Sequence, residues 1–264
     1  MNLDGSEVEP LTIDTGAMFP KWSPRGWPLA FTWLGATGRG QIYLVQPEMH
    51  NGIVLGGSRI QPEVSSFRSA RLESRNLTDA TDDCFMPAWS SDGAKLAYVS
   101  RKDGRNAVGV MNKDGSGQRM ISPISGEYPV WSPDGSSIVF LSAEEGLPSL
   151  YRMAPDGSGL LRLTKERSAS VPAWSRDGKR IAVGLEGAGK KMAIYSMNPD
   201  GSGIVALTSH QTNDQYPAWS PDGQHLAFVS QRDGNQEVYV MNSDGTGQKR
   251  LTLYRGADTQ PTWY

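Results

Sequence analysis

The sequence predicts an all-β protein, a β-propeller of four-stranded antiparallel blades, on three observations. A phrase centred on tryptophan recurs along the 264 residues, at positions 22, 89, 131, 174, 219 and 263. The successive spacings are 67, 42, 43, 45 and 44 residues, so all but the first nearly agree. Each period contains short strand-like runs separated by Asp-Gly turns, and no helical period is sustained. A fixed period of about 40 to 45 residues with four strands is typical of propeller blades.

The repeat at residues 214–252 illustrates these elements. The runs 226-LAFVS-230 and 237-EVYVMN-242 are rich in β-branched and aromatic residues and end at turn residues, which predicts strands. In 220-SPDG-223 the proline presets one turn dihedral, and Asp-Gly tolerates positive φ. In 244-DGTG-247 the Asp-Gly pair lies between two strands, a strong hairpin signal. A calcium loop is the alternative for these acidic turns, but no glutamate follows at the position that calcium loops require.

The predicted organisation is a single propeller over residues 1–264, with five complete blades plus a partial sixth. The complete blades are predicted at 18–78, 84–122, 127–164, 170–208 and 214–252. The partial blade would have its last strand at 1–12 and its first strand at 258–264, because these segments match residues 241–252 and the start of other repeats. We therefore interpret the chain as a fragment of a longer one, with a natural short chain beginning at Met1 as the alternative.

An incomplete blade has physical consequences that leave the closure of the ring open. Strands one and four of a blade would lie roughly 14 Å apart, since neighbouring strands are about 4.8 Å apart. They cannot pair in place, and unpaired edges recruit other strands. We expect the sixth blade to collapse into a two-stranded patch or to be completed by a neighbouring molecule, which would be self-association. A self-sufficient five-bladed ring is the alternative.

The first blade differs from the others by an insertion at residues 47–72, between its predicted third and fourth strands. The other blades have a four-residue turn at this place. Arginines and apolar residues are concentrated in or beside the insertion: Arg59, Arg68, Arg71 and Arg75, with Ile53, Val54, Leu55 and Phe67. A mobile loop and a contact with a partner both remain open as interpretations.

Composition sets aside several classes of function. The formal net charge is −2, from 26 basic and 28 acidic residues, so the basic balance typical of nucleic-acid binding is absent. No apolar run approaches the roughly 20 residues that span a membrane, which predicts no membrane insertion. Cys84 is the single cysteine, which excludes an internal disulfide.

The repeated phrase P-A-W-S-P-D-G, followed by V-Y-V-M-N-x-D-G-S-G and L-T, resembles the propeller repeat of the TolB-like family. The resemblance covers nearly the whole chain except the insertion. It implies a non-catalytic module that binds a protein, a peptide or a glycan, in the periplasm or outside the cell. The repeat also resembles propeller domains of prolyl-oligopeptidase-like peptidases and of polysaccharide lyases. The alternative function is therefore the propeller part of a hydrolase, or of a lyase with a cation bound in the channel.

Enzymatic chemistry finds little support among the residues. The histidines are His50, His210 and His225, and they form no zinc-like spacing with Cys84. No G-x-S-x-G elbow and no glycine-rich phosphate loop occurs. We predict no catalytic residue, no metal and no cofactor, and we favour a binding or scaffold role.

We expect the ligand site where the blades differ, on the face formed by the loops that precede each first strand. Polar and aromatic side chains are concentrated there, and aromatic rings with a polar group suit a binding surface. Tyr128 and Tyr216 both directly precede the proline of Y-P-x-W, a position that Phe19, Met86 and Val171 fill elsewhere. Packing within the ring is therefore the alternative role for these two tyrosines. The candidate ligand-binding residues are Phe19, Glu127, Tyr128, His210, Asp214, Tyr216, Arg232 and Tyr254.

Overall fold

The computed structural model describes residues 17–34, 38–47, 49–50, 53–54, 72–78, 81–187, 189–253, 261 and 263. Over these residues the chain forms a five-bladed propeller, and each blade is a four-stranded antiparallel sheet whose strands follow one another in chain order. The prediction of an all-β propeller with four-stranded blades is confirmed. The predicted partial sixth blade is not shown: residues 1–12 lie outside the described residues, as does all of 258–264 except Pro261 and Trp263.

The first blade contains β1 (Ala17–Ser23), β2 (Gly26–Leu34), β3 (Gly40–Pro47) and β6 (Leu72–Asn76). Between β3 and β6 the described residues include a small antiparallel pair, β4 (Met49–His50) and β5 (Ile53–Val54). The rest of the insertion, for which a mobile loop and a partner contact were both open, lies outside the described residues, with Arg59, Arg68, Arg71, Leu55 and Phe67.

The other four blades repeat the same meander. The second has β7 (Asp83–Trp89), β8 (Lys95–Lys102), β9 (Arg105–Asn112) and β10 (Arg119–Met120). The third has β11 (Glu127–Trp131), β12 (Ile138–Ser142), β13 (Ser149–Met153) and β14 (Leu161–Arg162). The fourth has β15 (Ala173–Trp174), β16 (Ile181–Glu186), β17 (Met192–Met197) and β18 (Val205–Ala206). The fifth has β19 (Asp214–Trp219), β20 (His225–Ser230), β21 (Glu237–Asn242) and β22 (Lys249–Arg250).

The hydrophobic core lies between neighbouring blades. Each of four apolar clusters combines residues of two consecutive blades, as where Phe140 of the third blade packs with Val108 of the second. Second strands are therefore buried on both faces, and all five residues of β12 are buried. This explains why these strands are continuous apolar runs, whereas a sheet with one face in water would alternate apolar and polar residues.

The repeated tryptophans connect consecutive blades. The Trp89 indole N–H donates to the Lys21 carbonyl at 3.1 Å, one position before the tryptophan of the preceding blade. Trp263 makes the equivalent bond to the Ala218 carbonyl at 3.0 Å, so its side chain packs on the fifth blade as Trp89 packs on the first. The repetition of tryptophan thus serves the packing of the ring.

The Asp-Gly turns have two structural functions that recur. In the D-G-S-G turn of the second blade, Asp114 Oδ1 accepts hydrogen bonds from the Ser116 N–H at 3.0 Å and from its hydroxyl at 2.6 Å. Gly115 has a φ of +84°, and an added Cβ would lie 2.8 Å from the Leu77 carbonyl oxygen of the preceding blade. Glycine is required there by both its φ and the close approach of the blades. These contacts account for the repeated carboxylates without a bound ion.

Arginines of the outer strands reach the next blade. Arg75 donates to the Asp114 carbonyl at 2.6 Å, and Arg119 donates to the Pro155 carbonyl at 2.9 Å. Arg75, which the sequence grouped with the insertion as a partner contact, therefore binds within the ring.

Candidate ligand-binding channel

The inner strands share an irregularity that places side chains in the central channel. Phe19, Met86, Tyr128 and Tyr216 each precede a proline, and each has a positive φ between 52° and 56°. The pairing register between first and second strands shifts at these points, as between Phe85 and Ala88. The shift is a β-bulge, which redirects a side chain out of the regular strand alternation.

The local sequence explains why the bulge occurs here. Proline has no N–H to donate to the ladder, so the pairing of the strands is interrupted at this point. A large side chain at positive φ still costs roughly 1–2 kcal/mol, because its Cβ approaches the following carbonyl oxygen. Val171 fills the slot in the fourth blade without a positive φ, since a β-branched side chain tolerates that region least.

The aromatic side chains of the bulges meet in the channel. The rings of Phe19 and Tyr128 lie edge to face with their centroids 6.3 Å apart, although their blades are not adjacent. Burial raises the pKa of Tyr128, and the nearby Tyr216 and Glu127 raise it further. The structure thus brings together Phe19, Tyr128 and Tyr216, three of the eight predicted residues.

These residues line a cavity of 310 Å³ to which all five blades contribute. Its walls are prolines, aromatic rings and small aliphatic side chains, and the described lining contains one charged side chain, Lys21. Lys21 is accessible to water along the channel but is surrounded by protein, and this desolvation lowers the pKa of its ammonium group. The sequence reasoning missed Lys21 and Met86 as channel residues. The signal was available, because comparing the repeats shows Lys21 where other blades have Ala or Val.

Glu127 and His210 are engaged with other side chains of the ring. Asn106 of the second blade donates to Glu127 of the third, which ties two blades together. His210 Nε2 lies 2.6 Å from the Tyr195 hydroxyl, and His210 Nδ1 lies 3.3 Å from the Lys191 carbonyl oxygen. Neither residue belongs to the described lining of the channel cavity.

Asp214 and Arg232 form an ion pair within the fifth blade. Asp214 is fully buried, and its Oδ2 accepts from Arg232 at 3.2 Å and from the Thr212 hydroxyl at 2.8 Å. The Arg232 guanidinium lies over the Tyr239 ring at 4.5 Å from the centroid. Both partners are thus satisfied by the protein itself. Tyr254, the remaining predicted residue, lies outside the described residues.

A second ionic group in the same blade was not foreseen from the sequence. Glu237 is fully buried and accepts hydrogen bonds from Arg250, Asn235 and the Thr252 hydroxyl. Burial, followed by a hydrogen bond to Asp233, raises the pKa of Tyr239 to about 12. The group fixes the outer strands of the blade and has no open position for a ligand among these contacts.

A larger cavity of 620 Å³ opens between the fourth and fifth blades, away from the channel lining. Its polar groups serve the turns: Asp177 accepts from Ser175, Asp222 accepts from Ser220, and Arg180 donates to Ser196 and Asn198. Because its aspartates and Arg180 already bond groups of the turns and strands, and because aromatic rings do not converge in its described lining, we assign the candidate ligand site to the channel.

Among the described residues, no group of three or more His, Cys, Asp or Glu side chains is placed to hold a metal ion. That part of the chain likewise includes no helix of the length and apolarity needed to cross a membrane.

The fold is a propeller of four-stranded blades around a central channel, and comparison with known proteins specifies the family. The model of the TolB beta propeller domain matches residues 61–215 and 164–264, more than half of the chain. The chain belongs to the TolB β-propeller domain family. No similarity to a curated protein sequence is detected.

Solved structures agree with this assignment. A putative TolB from Agrobacterium tumefaciens is 25% identical with a TM-score of 0.73, over 94% of this chain and 85% of that one. TolB from Acinetobacter baumannii is 20% identical with a TM-score of 0.73, over 93% and 56%. The tricorn protease is 15% identical with a TM-score of 0.67, over 94% and 23%, a similarity of fold alone.

Proposed function

We propose that the chain is a non-catalytic binding propeller that takes up a segment of a protein or peptide partner at its central channel. The observation that carries the proposal is the set of bulged residues Phe19, Tyr128 and Tyr216. Each has a positive φ, and the cavity that they line spans all five blades. Strained residues of this kind are concentrated at functional sites.

The character of the lining favours a peptide over a glycan. Proline, aromatic and aliphatic side chains line most of the cavity, and they suit apolar side chains of a peptide. A glycan would need many hydrogen-bonding groups, which the described lining supplies mainly through two tyrosine hydroxyls and Lys21. The similarity to the two TolB structures is consistent with a protein partner.

The other predicted residues have a supporting role in this proposal. The pairs Glu127–Asn106, His210–Tyr195 and Asp214–Arg232 hold the loops around the channel. Direct contact of these residues, or of Tyr254, with a ligand stays a prediction. So do a periplasmic or extracellular location and self-association through a sixth blade.

The enzymatic alternative does not fit the channel residues. A cation bound there would lie near the Lys21 ammonium, which would repel it, and the described lining contains no carboxylate or imidazole to bind it. Among the described residues, the half-buried His210 ring contacts the Tyr195 hydroxyl and the Lys191 carbonyl oxygen, and neither contact supplies a serine or cysteine nucleophile. We therefore propose binding and not hydrolysis or lyase chemistry.

The test uses peptides selected from a displayed random library on the wild-type protein. Tyr128→Ala and Tyr216→Ala should each weaken binding of a selected peptide about tenfold or more, as aromatic hot-spot residues do. Tyr43→Ala is the matched control, because its ring packs with Trp33 outside the channel lining. Circular dichroism checks that each variant is folded. Unchanged affinity of the double tyrosine variant would overturn the proposal.

A further inference from the structure

Lys21 departs from the repeat at a position that small apolar residues occupy in the other blades. It lies between the proline and the tryptophan of the first blade, where the other blades have Ala88, Val130, Ala173 and Ala218. A small apolar side chain therefore satisfies the ring at this position. The lysine is not required by the packing that the repeat maintains.

Among the described residues, no acidic side chain compensates the charge of Lys21. Prolines, aromatic rings and aliphatic side chains form the rest of the described lining, and no carboxylate is among them. Within the described residues, no ion pair joins Lys21 to an acidic side chain. Desolvation is the cause that lowers the pKa of the ammonium group. The Lys21 side chain is exposed to water along the channel, so an anion can reach its ammonium group, and the neighbouring apolar side chains strengthen the pair relative to one in bulk water.

We propose that Lys21 binds a carboxylate of the peptide ligand inside the channel. The inference rests on the proposed function, and it adds the chemical class of ligand that the channel selects. An ammonium group is a compact point charge with three donors, so it can bind a carboxylate that approaches along the channel. The apolar walls suit the aliphatic or aromatic part of the same ligand. An acidic peptide should therefore bind more tightly than its neutral analogue.

A carboxylate on a peptide has two sources, the side chain of Asp or Glu and the C-terminus. Three short peptides distinguish them: Ac-Phe-Asp-NH2, Ac-Phe-Ala-OH and the neutral Ac-Phe-Asn-NH2. Their affinities are measured by calorimetry for the wild-type protein and for Lys21→Gln and Lys21→Ala. Lys113→Gln is the matched control, because Lys113 is exposed on a turn outside the channel lining. Lys21→Ala introduces the residue of three other blades, so folding should be preserved.

We expect at least one of the two acidic peptides to bind the wild-type protein about tenfold or more tightly than the neutral peptide, as a charged hydrogen bond provides. Both Lys21 variants should remove this preference while Lys113→Gln retains it. The acidic peptide that binds the wild-type protein more tightly than the neutral peptide, and loses this advantage in the Lys21 variants, identifies the source of the carboxylate. A preference that survives in Lys21→Ala, or no preference in the wild type, would overturn the inference.

A nuclear magnetic resonance titration of the Lys21 side chain gives a second readout. Carboxylate binding should raise the pKa of the ammonium group, because a nearby negative charge favours the charged form. The other titratable groups of the described lining are Tyr128 and Tyr216, and their variants serve as controls. An unchanged Lys21 pKa with every acidic peptide also counts against the inference.

If the neutral peptide binds through the tyrosines but Lys21 has no effect, the proposed function stands and this inference fails. If no peptide binds in the channel, both fail.

Discussion

Replacing Tyr216 by glycine should separate a ligand-contact role from a packing role. The φ of Tyr216 is +55°, and glycine removes a strain of roughly 1–2 kcal/mol that a side chain has in this region. Against this, the ring is half-buried, so its loss costs about 1 kcal/mol of apolar burial. The greater flexibility of glycine in the unfolded chain lowers the stability by a further 0.5–1 kcal/mol, roughly. These terms nearly cancel, and we expect the free energy of unfolding to change by no more than about 1 kcal/mol.

Phe140 provides the internal comparison for this prediction. Its ring is fully buried between the second and third blades and stacks on Tyr151 with centroids 5.8 Å apart. Phe140→Ala should cost about 3–5 kcal/mol, as for other buried aromatic residues. Urea denaturation followed by circular dichroism measures both variants, and calorimetry with a selected peptide measures binding. Tyr216→Gly should keep nearly full stability and lose binding of the peptide. A loss of stability comparable to that of Phe140→Ala would show that Tyr216 mainly packs the ring.

Four further outcomes are expected. Gly157→Ala should destabilise the protein by about 1–3 kcal/mol more than Gly146→Ala, as measured by urea denaturation. Both glycines have a positive φ, but a Cβ at Gly157 would lie 2.4 Å from a carbonyl oxygen of the preceding blade, whereas a Cβ at Gly146 would meet no atom within 4 Å. Serine hydroxyls and a backbone N–H lower the pKa of Asp134, so its stabilisation is present above the ordinary carboxyl pKa and is lost as the pH falls through the folded-state pKa. Asp134→Asn should therefore reduce the acid dependence of stability between neutral and acidic pH. Lys21→Met should raise the melting temperature slightly at neutral pH, because the surrounding protein lowers the pKa of Lys21 and its charged form therefore disfavours folding. Water that reaches the exposed side chain reduces this cost, which decreases as the pH rises from the folded-state pKa towards the ordinary lysine pKa. Deleting residues 48–72 should leave the ring folded and weaken a partner interaction, whereas loss of soluble expression would place that segment in the fold.

The ion pair of the fifth blade restricts how the predicted site can be tested. Removing either Asp214 or Arg232 would leave an uncompensated charge, and breaking such a buried pair costs about 3–5 kcal/mol. If all the polar candidate residues were replaced by alanine together, a loss of binding could result from unfolding instead of from a lost ligand contact. The tyrosines of the channel are better probes, because their side chains lie in the cavity and contribute less to the core.

The sequence by itself determined the architecture of the blades. The β-branched runs and the Asp-Gly turns form strands and hairpins within a single repeat, and the spacing of the tryptophans gives the length of that repeat. The blade can therefore be predicted without knowing which distant residues it contacts. Gly115 illustrates this: its place in the D-G-S-G turn already requires a residue that tolerates positive φ. The repeats also showed that Tyr128 and Tyr216 occupy equivalent positions.

The tertiary structure alone decided which of the varied residues form a site. Phe19 and Tyr128 belong to blades that are not adjacent, so no local pattern could show that their rings meet across the channel. Asp214 and Arg232 looked like exposed loop residues, but the second-to-third-strand turn brings them together in a buried pair. Lys21 was visible as a departure from the repeat, yet its isolation among apolar walls exists only after the ring is assembled. Contacts across a ring depend on how blades close around an axis, and that geometry is a property of the whole chain.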